Sequence, residues 1–291
     1  MATRVPSLAG AALALLLCLP AVAAAAPVRV VVSIPPLAWF AGHVGGAGVE
    51  VASLLKAGDS PHTWEPTPQA VARLAEADLF LCAGVGFERG LRRRVAAMAG
   101  GIRVAGPLPP AGHDHDHGDG HGDDLADDPH TWLSPAGASA IADTLARVLG
   151  PSHADVAAGR ARTEARIAEV DSAAAALLAG CRGRAFLVFH PAFGHFAARY
   201  GLVQLAIEDE GREPGPRRMA EITDQARQRG VRAVVVQPQM SRRAADAVAA
   251  SLGVPVIVLD PLAPDWDANY LRIAAALAAA LGDAPAGKDP R

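Results

Sequence analysis

The 291-residue sequence is poor in cysteine, aromatic side chains and net charge. Its three cysteines, Cys18, Cys82 and Cys181, are widely separated. They lack the close spacing of a zinc–thiolate site, and their sequence positions assign no disulfide. Aromatics make up 4% of a chain that is 51% hydrophobic, with alanine supplying much of that share. This is the composition of an Ala-rich globular protein. A formal charge of −3 and an isoelectric point near 6.4 leave no basic footprint for nucleic acid. There is no HExxH spacing of a zinc protease helix. Beyond the N-terminus, no segment is apolar for long enough to span a bilayer.

Residues 1–26 read as a signal peptide. Arg4 supplies the positive start, Leu8 to Val22 the apolar stretch, and Ala23 to Ala26 the small residues for cleavage. Pro20 interrupts the apolar run, which argues against a permanent span. Bacterial lipoprotein signals place a small residue before the modified cysteine, and Cys18 follows Leu17, so lipid anchoring at Cys18 is not expected. The mature protein is expected to be periplasmic and soluble. In that oxidising space Cys82 and Cys181 are expected to be buried free thiols.

What is present is an alternation of β-branched runs with helical stretches. VRVVVSI, VEVASLL, DLFLCAG and IRVAG read as strands of a first half, and RAFLVFH, VQLAIED, AVVVQPQ and VPVIVLD as strands of a second. Continuous apolar strands separated by helices imply parallel sheets covered on both faces. Between the halves, residues 152–178 form an Ala-rich, charge-studded stretch with one interior glycine, Gly159, longer than an ordinary helix. The expected architecture is α/β: two lobes, each a parallel sheet flanked by helices, joined by one long rigid connecting helix. The expected boundaries are a leader at 1–26, an N-terminal lobe at 27–150, the connecting helix at 151–180 and a C-terminal lobe at 181–291.

Residues 113–124 contain only His, Asp and Gly, which bars them from any core and gives them the chemistry of divalent metals. Directly after comes DPHTWLSP, in which Pro129 stiffens the approach to His130 and Ser134-Pro135 reads as a helix start. Ligands of parallel α/β proteins collect beyond the carboxyl ends of strands. His62, His130, His190 and Asp260 all fall at or near such positions, two in each half. Three imidazoles and a carboxylate form a suitable tetrahedral set for Zn2+. Each residue also has an ordinary alternative: His62 at a helix approach, His190 as a satisfied core histidine, Asp260 capping a turn before Pro261.

Five segments resemble the solute-binding components of zinc or manganese ABC importers, the cluster A-I metal receptors. They are AGDSPHTWEPTPQAVARLAEADLFLCAGVGFE, DDPHTWLSP, FHPAFGHFAARYGL, EDEGREPGPRRMAEI and VLDPLA. The resemblance covers essentially the whole mature chain. It implies that His62, His130, His190 and Asp260 are the metal ligands. The family's manganese receptors typically have Glu at the third position, so His190 and the His-Asp loop resemble the zinc branch. His195 departs from the pattern, in a position that is usually aromatic; packing like an aromatic is the favoured reading, a supporting or auxiliary ligand the other. His113, His115, His117 and His121 are expected to form an auxiliary, low-affinity metal site.

The implied function is a periplasmic receptor, not an enzyme, that captures Zn2+ as its transported ligand. It would deliver the ion to an ABC permease and its ATPase at the inner membrane, acting as a monomer without nucleic acid. Weighed against this are a manganese or iron receptor of the same family, a periplasmic zinc hydrolase with a base such as Glu65 or Glu208–Glu210, and a zinc buffer or metallochaperone.

Overall fold

The run VRVVV becomes β1 (Val28–Val32), whose β-branched side chains suit a strand buried on both faces. Its structure, a computed structural model, describes residues 26–98, 101–107, 125, 128–150, 155–208, 214–240 and 242–282. Four strands form the first sheet: β1, β2 (Val49–Ser53), β3 (Leu79–Leu81) and β4 (Arg103–Ala105), in the order β2-β1-β3-β4. The second sheet contains β5 (Ala185–Val188), β6 (Val203–Ala206), β7 (Val234–Val236) and β8 (Val256–Val258), ordered β6-β5-β7-β8. All the strand pairings in both are parallel. The two halves thus repeat one topology, with the second strand at the edge and the first inside.

Helices α1 (Pro35–Gly45), α2 (Pro68–Ala75), α3 (Glu88–Ala96) and α4 (Pro135–Leu149) accompany the first sheet. α6 (Gly194–Tyr200), α7 (Pro216–Gln228), α8 (Arg242–Leu252) and α9 (Trp266–Leu281) accompany the second. Local chemistry sets several starts. Thr67 caps α2 by accepting from Ala70 N at 3.2 Å, and Ser134 caps α4 by accepting from Gly137 N at 3.1 Å, each with proline at the first helical position. Gly137 also has a steric role. A Cβ there would lie 2.0 Å from the carbonyl oxygen of Thr131, so only glycine lets the turn after His130 sit on the first turn of α4.

The long connector is α5 (Val156–Leu178), 23 residues and about 35 Å of helix. Its buried residues, Val156, Gly159, Thr163, Ile167, Val170, Ala174 and Leu178, recur every three or four positions and form one continuous stripe. That stripe packs on α1 and α4 from the first half and on α9 from the second. α5 is therefore clamped along its length instead of standing as a solvated strut. Polar bonds reinforce the clamp on both sides: Ser139 donates to Glu164 at 2.9 Å, Arg166 to Asp267 at 2.9 Å, and Tyr200 to Asp171 at 3.0 Å.

One hydrophobic core runs through both halves. Trp39 and Phe40 of α1 meet Trp266 of α9 with ring centroids 5.1 and 5.0 Å apart, and Tyr270 continues the cluster to Phe196. A second, smaller cluster fills the other face of the second sheet, with Leu187, Val234, Ile222 and Val248 among its members. Cys82 and Cys181 are both buried. Burial pushes the Cys82 thiol far up, helped by the nearby Glu88 carboxylate, which keeps it unreactive. Residues 1–25, including Cys18, and the His-Asp tract at 113–124 lie outside the described residues.

Candidate metal centre between the lobes

His62 sits in the loop between β2 and α2, in a turn fixed by Thr63 N and Trp64 N bonding to Ser60 O at 3.2 and 3.0 Å. Trp64 anchors that loop by packing on Phe87, with ring centroids 4.9 Å apart. His130 opens the short turn Thr131–Leu133. His190 lies two residues past β5, where Gln237 grips its backbone by donating to the carbonyl at 2.6 Å. Strand ends and their loops thus bring three imidazoles from both halves together. His62 Nε2 is 3.2 Å from His190 Nε2, and His190 Nε2 is 3.3 Å from His130 Nε2.

Two carboxylates decide which ring nitrogens carry hydrogen. Asp128 accepts from His130 Nδ1 at 2.6 Å and from His130 N at 2.9 Å. Glu208 accepts from His190 Nδ1. An ionised carboxylate only accepts, so both imidazoles hold their proton on Nδ1 and present an Nε2 lone pair. Those two lone pairs face one another at 3.3 Å. Neutral imidazoles so placed cannot hydrogen-bond to each other and repel unless a cation lies between them. The separation also equals the edge, about 3.3 Å, of a tetrahedron with Zn–N bonds of about 2.0–2.1 Å. His62 differs, because no group holds its Nδ1 among the described residues; it can donate Nε2–H to His190 or turn its lone pair to an ion.

Asp260 lies just past β8. Its Oδ1 accepts from Leu262 N at 2.9 Å and Gln239 Nε2 at 3.1 Å, and Asn269 bonds its carbonyl at 2.7 Å. No bond joins it to the histidines, and among the described residues no three His, Cys, Asp or Glu side chains form a closed metal-holding group. The structure brings His62, His130 and His190 together, while Asp260 is held by its own bonds to Leu262, Gln239 and Asn269. Two indoles nevertheless tie the loops of His130 and Asp260. Trp132 Nε1 donates to Pro261 O at 2.8 Å, and Trp266 Nε1 to Trp132 O at 2.7 Å.

Burial disfavours the charged form of His62 and of His130. Burial lowers His62 from its ordinary 6.5 to about 4, aided by the neighbouring His190 and opposed by Glu208. His62 is the most exposed of the three, so water moderates that drop. Burial also lowers His130, against the pull of Asp128. Burial alone would raise Asp128, but its bonds from His130 outweigh this and hold its carboxyl low.

Sequence reasoning missed Asp128, Gln237 and Gln239, and placed Glu208 in a different role. The sequence signal for Asp128 is its spacing two residues before His130, and for Glu208 the acid ending the run of β6. His195 does more than fill an aromatic position: its Nε2 donates to the carbonyl of Asp128 at 3.0 Å. His113, His115, His117 and His121 lie outside the described residues.

Two lobes of repeated α/β topology, a clamped connecting helix and histidines converging at the interlobe strand ends define a class, the two-lobed metal solute-binding proteins. Within it, the chain belongs to the ZnuA family, described as the zinc-uptake complex component A, periplasmic, which it matches over residues 30–284. It is 29% identical over 251 residues to the zinc-binding lipoprotein AdcA of Streptococcus pneumoniae strain R6, covering 80% of this chain and 50% of AdcA. It is 27% identical over 263 residues to the zinc-binding protein AdcA of Streptococcus pyogenes serotype M3, covering 81% and 50%. The chain spans about half the length of these curated relatives. Among solved structures, a crystal structure of ZnuA superposes with a TM-score of 0.77 at 32% identity, covering 88% of this chain and all of that one. A zinc-bound ZnuA deletion mutant superposes with a TM-score of 0.78 at 32% identity, covering 89% of this chain and all of that one. Among the described residues, no helix is long and apolar enough to cross a membrane.

Proposed function

We propose that the protein is a zinc receptor that captures Zn2+ between its lobes and delivers it to an ABC permease driven by an ATPase. His62, His130 and His190 supply three nitrogen ligands, and Asp260 turns its Oδ2 inward as the fourth. The observation that carries this reading is the pair of lone-pair Nε2 atoms of His130 and His190, 3.3 Å apart. Such a pair calls for a cation, and three imidazoles favour borderline Zn2+ over hard Mn2+. Relatives named as zinc-binding, and a zinc-bound ZnuA structure, agree with that choice.

The mechanism follows from the parts. His62 and His130, held below their ordinary range by burial, meet the ion with little competition from protons, and the carboxylate completes its charge and geometry. Ligands from both halves bridge the cleft, while α5 and the shared aromatic core restrict opening to a small tilt and loop closure. We further propose that residues 1–26 direct export to the periplasm, that residues 27–150 and 181–291 form the lobes with 151–180 connecting them, and that the protein acts as a monomer. The auxiliary histidines His113, His115, His117 and His121 collect zinc weakly. Of the candidate bases for a zinc hydrolase, Glu65 and Glu208–Glu210, Glu208 is committed to His190 Nδ1.

X-ray absorption at the zinc edge of the loaded mature protein tests the ligand set. Three nitrogen donors and one oxygen donor at about 2.0–2.1 Å are expected. Sulfur donors or a six-oxygen shell would exclude this set.

A further inference from the structure

Each half of the site gives its histidine a private carboxylate. Asp128 lies two residues before His130 and binds both the ring and the backbone N–H of that residue. Its own carbonyl accepts from His195, which fixes the loop from outside. Glu208 reaches His190 from the neighbouring strand. β5 pairs with β6 in a register that sets Val188 beside Ala206, and Ile207 N and Glu208 N continue the ladder onto Val188 O and Phe189 O at 2.8 and 3.0 Å. Two residues further, the register sets His190 beside Glu208. The side chains of Glu208 and Asp128 are only 5% and 14% exposed, so each anion is removed from water and bonded to one ligand imidazole; Asp128 Oδ2 also lies 4.0 Å from His195 Nε2.

We infer that Glu208 and Asp128 are positioning residues that set the ion selectivity of the site. By holding Nδ1–H they lock the ring orientation and lone pair, and their charge makes Nε2 a stronger donor. Greater nitrogen basicity favours an ion high in the Irving–Williams order more than one low in it, so zinc gains more than manganese. This inference rests on the zinc-receptor reading.

The test is competition titration of the mature full-length protein with Zn2+ and Mn2+, comparing Glu208→Gln, Asp128→Asn and His190→Ala with wild type. Nitrogen NMR of the metal-free protein reads the imidazole tautomers. Glu208→Gln and Asp128→Asn should each keep one zinc per chain and lose about 10–100-fold in zinc affinity. Manganese affinity should fall less, so the zinc-to-manganese ratio shrinks, and the affected imidazole should become a mixture of tautomers. Two variants in different loops, with melting curves to confirm folding, protect the test against one misfolded protein. Wild-type zinc affinity in both carboxylate variants, with zinc binding lost in His190→Ala, would overturn the inference and leave the receptor reading standing. An equal loss for both ions would overturn the selectivity assignment. Wild-type affinity in His190→Ala would instead remove the zinc site itself.

Discussion

Gly159→Ala sets two physical effects against each other. In an ordinary helix interior the change is stabilising, because alanine is better than glycine by about 1 kcal/mol. In α5 the new Cβ would lie 2.2 Å from Val44 O and 2.8 Å from His43 O. Both are backbone atoms at the end of α1, so no side-chain rotation relieves the overlap; the two helices must separate by more than about 1 Å to reach ordinary van der Waals distance. Overpacking of this kind costs about 1–3 kcal/mol. The backbone origin of the clash places the cost at the upper end, and subtracting the propensity gain leaves a net loss of about 2 kcal/mol. At about 2–4 °C per kcal/mol, the melting temperature should fall by roughly 4–8 °C. Scanning calorimetry of the metal-free mature protein measures it. An unchanged or higher melting temperature would show that α1 and α5 do not cross this closely, and would undercut the clamped connector.

Other predictions follow from the same geometry. His62→Ala, His130→Ala and His190→Ala should each lower zinc affinity strongly, whereas deleting residues 113–121 should lower stoichiometry more than the affinity of the tight site; calorimetric titration separates the two. Because burial holds His62 near 4 and His130 below the ordinary 6.5, the unfolded chain binds more protons than the folded one between those values. The metal-free protein should therefore be unaffected by these groups above about pH 6.5 and lose stability as pH falls toward 4, which denaturant melts across that range would register. Glu88 is fully buried and accepts from Ala83 N and Gly84 N at 2.8 and 2.9 Å. Glu88→Ala strands Gly84 N at about 1–3 kcal/mol, leaves Ala83 N only its longer bond to Ser33 Oγ at 3.2 Å, and should lower the denaturation midpoint while zinc affinity in the folded fraction holds.

Much of this architecture is legible in the chain because local chemistry and tertiary demand agree. VRVVV is β-branched enough and AFLV apolar enough to be inner strands, and Ser134-Pro135 caps the helix its residues announce. His62 and His190 are legible because each follows or ends a strand-like run, and His130 because it stands in DPHTWLSP before a helix start. What the sequence hides depends on register and on contacts across the chain. Glu208 serves His190 only because β6 pairs with β5 at one particular offset, and a linear reading makes it a free acid eligible for catalysis. Gln239 meets Asp260 because β7 lies beside β8, which no local pattern encodes. α5 looks solvated from its charges, yet α9, about a hundred residues further on, returns to cover its apolar stripe. His195 is hidden differently, since its partner is a backbone carbonyl and leaves no matching side chain in the sequence.

The central claim is one zinc site built by the interlobe histidines. Calorimetric titration of the mature protein with Zn2+, in competition with Mn2+ and with residues 113–121 present or deleted, tests it most directly. One tight zinc site that survives the deletion and is not displaced by manganese is the predicted result. Zinc binding that disappears with the deleted segment would contradict the claim and leave the three converging imidazoles without an ion to hold.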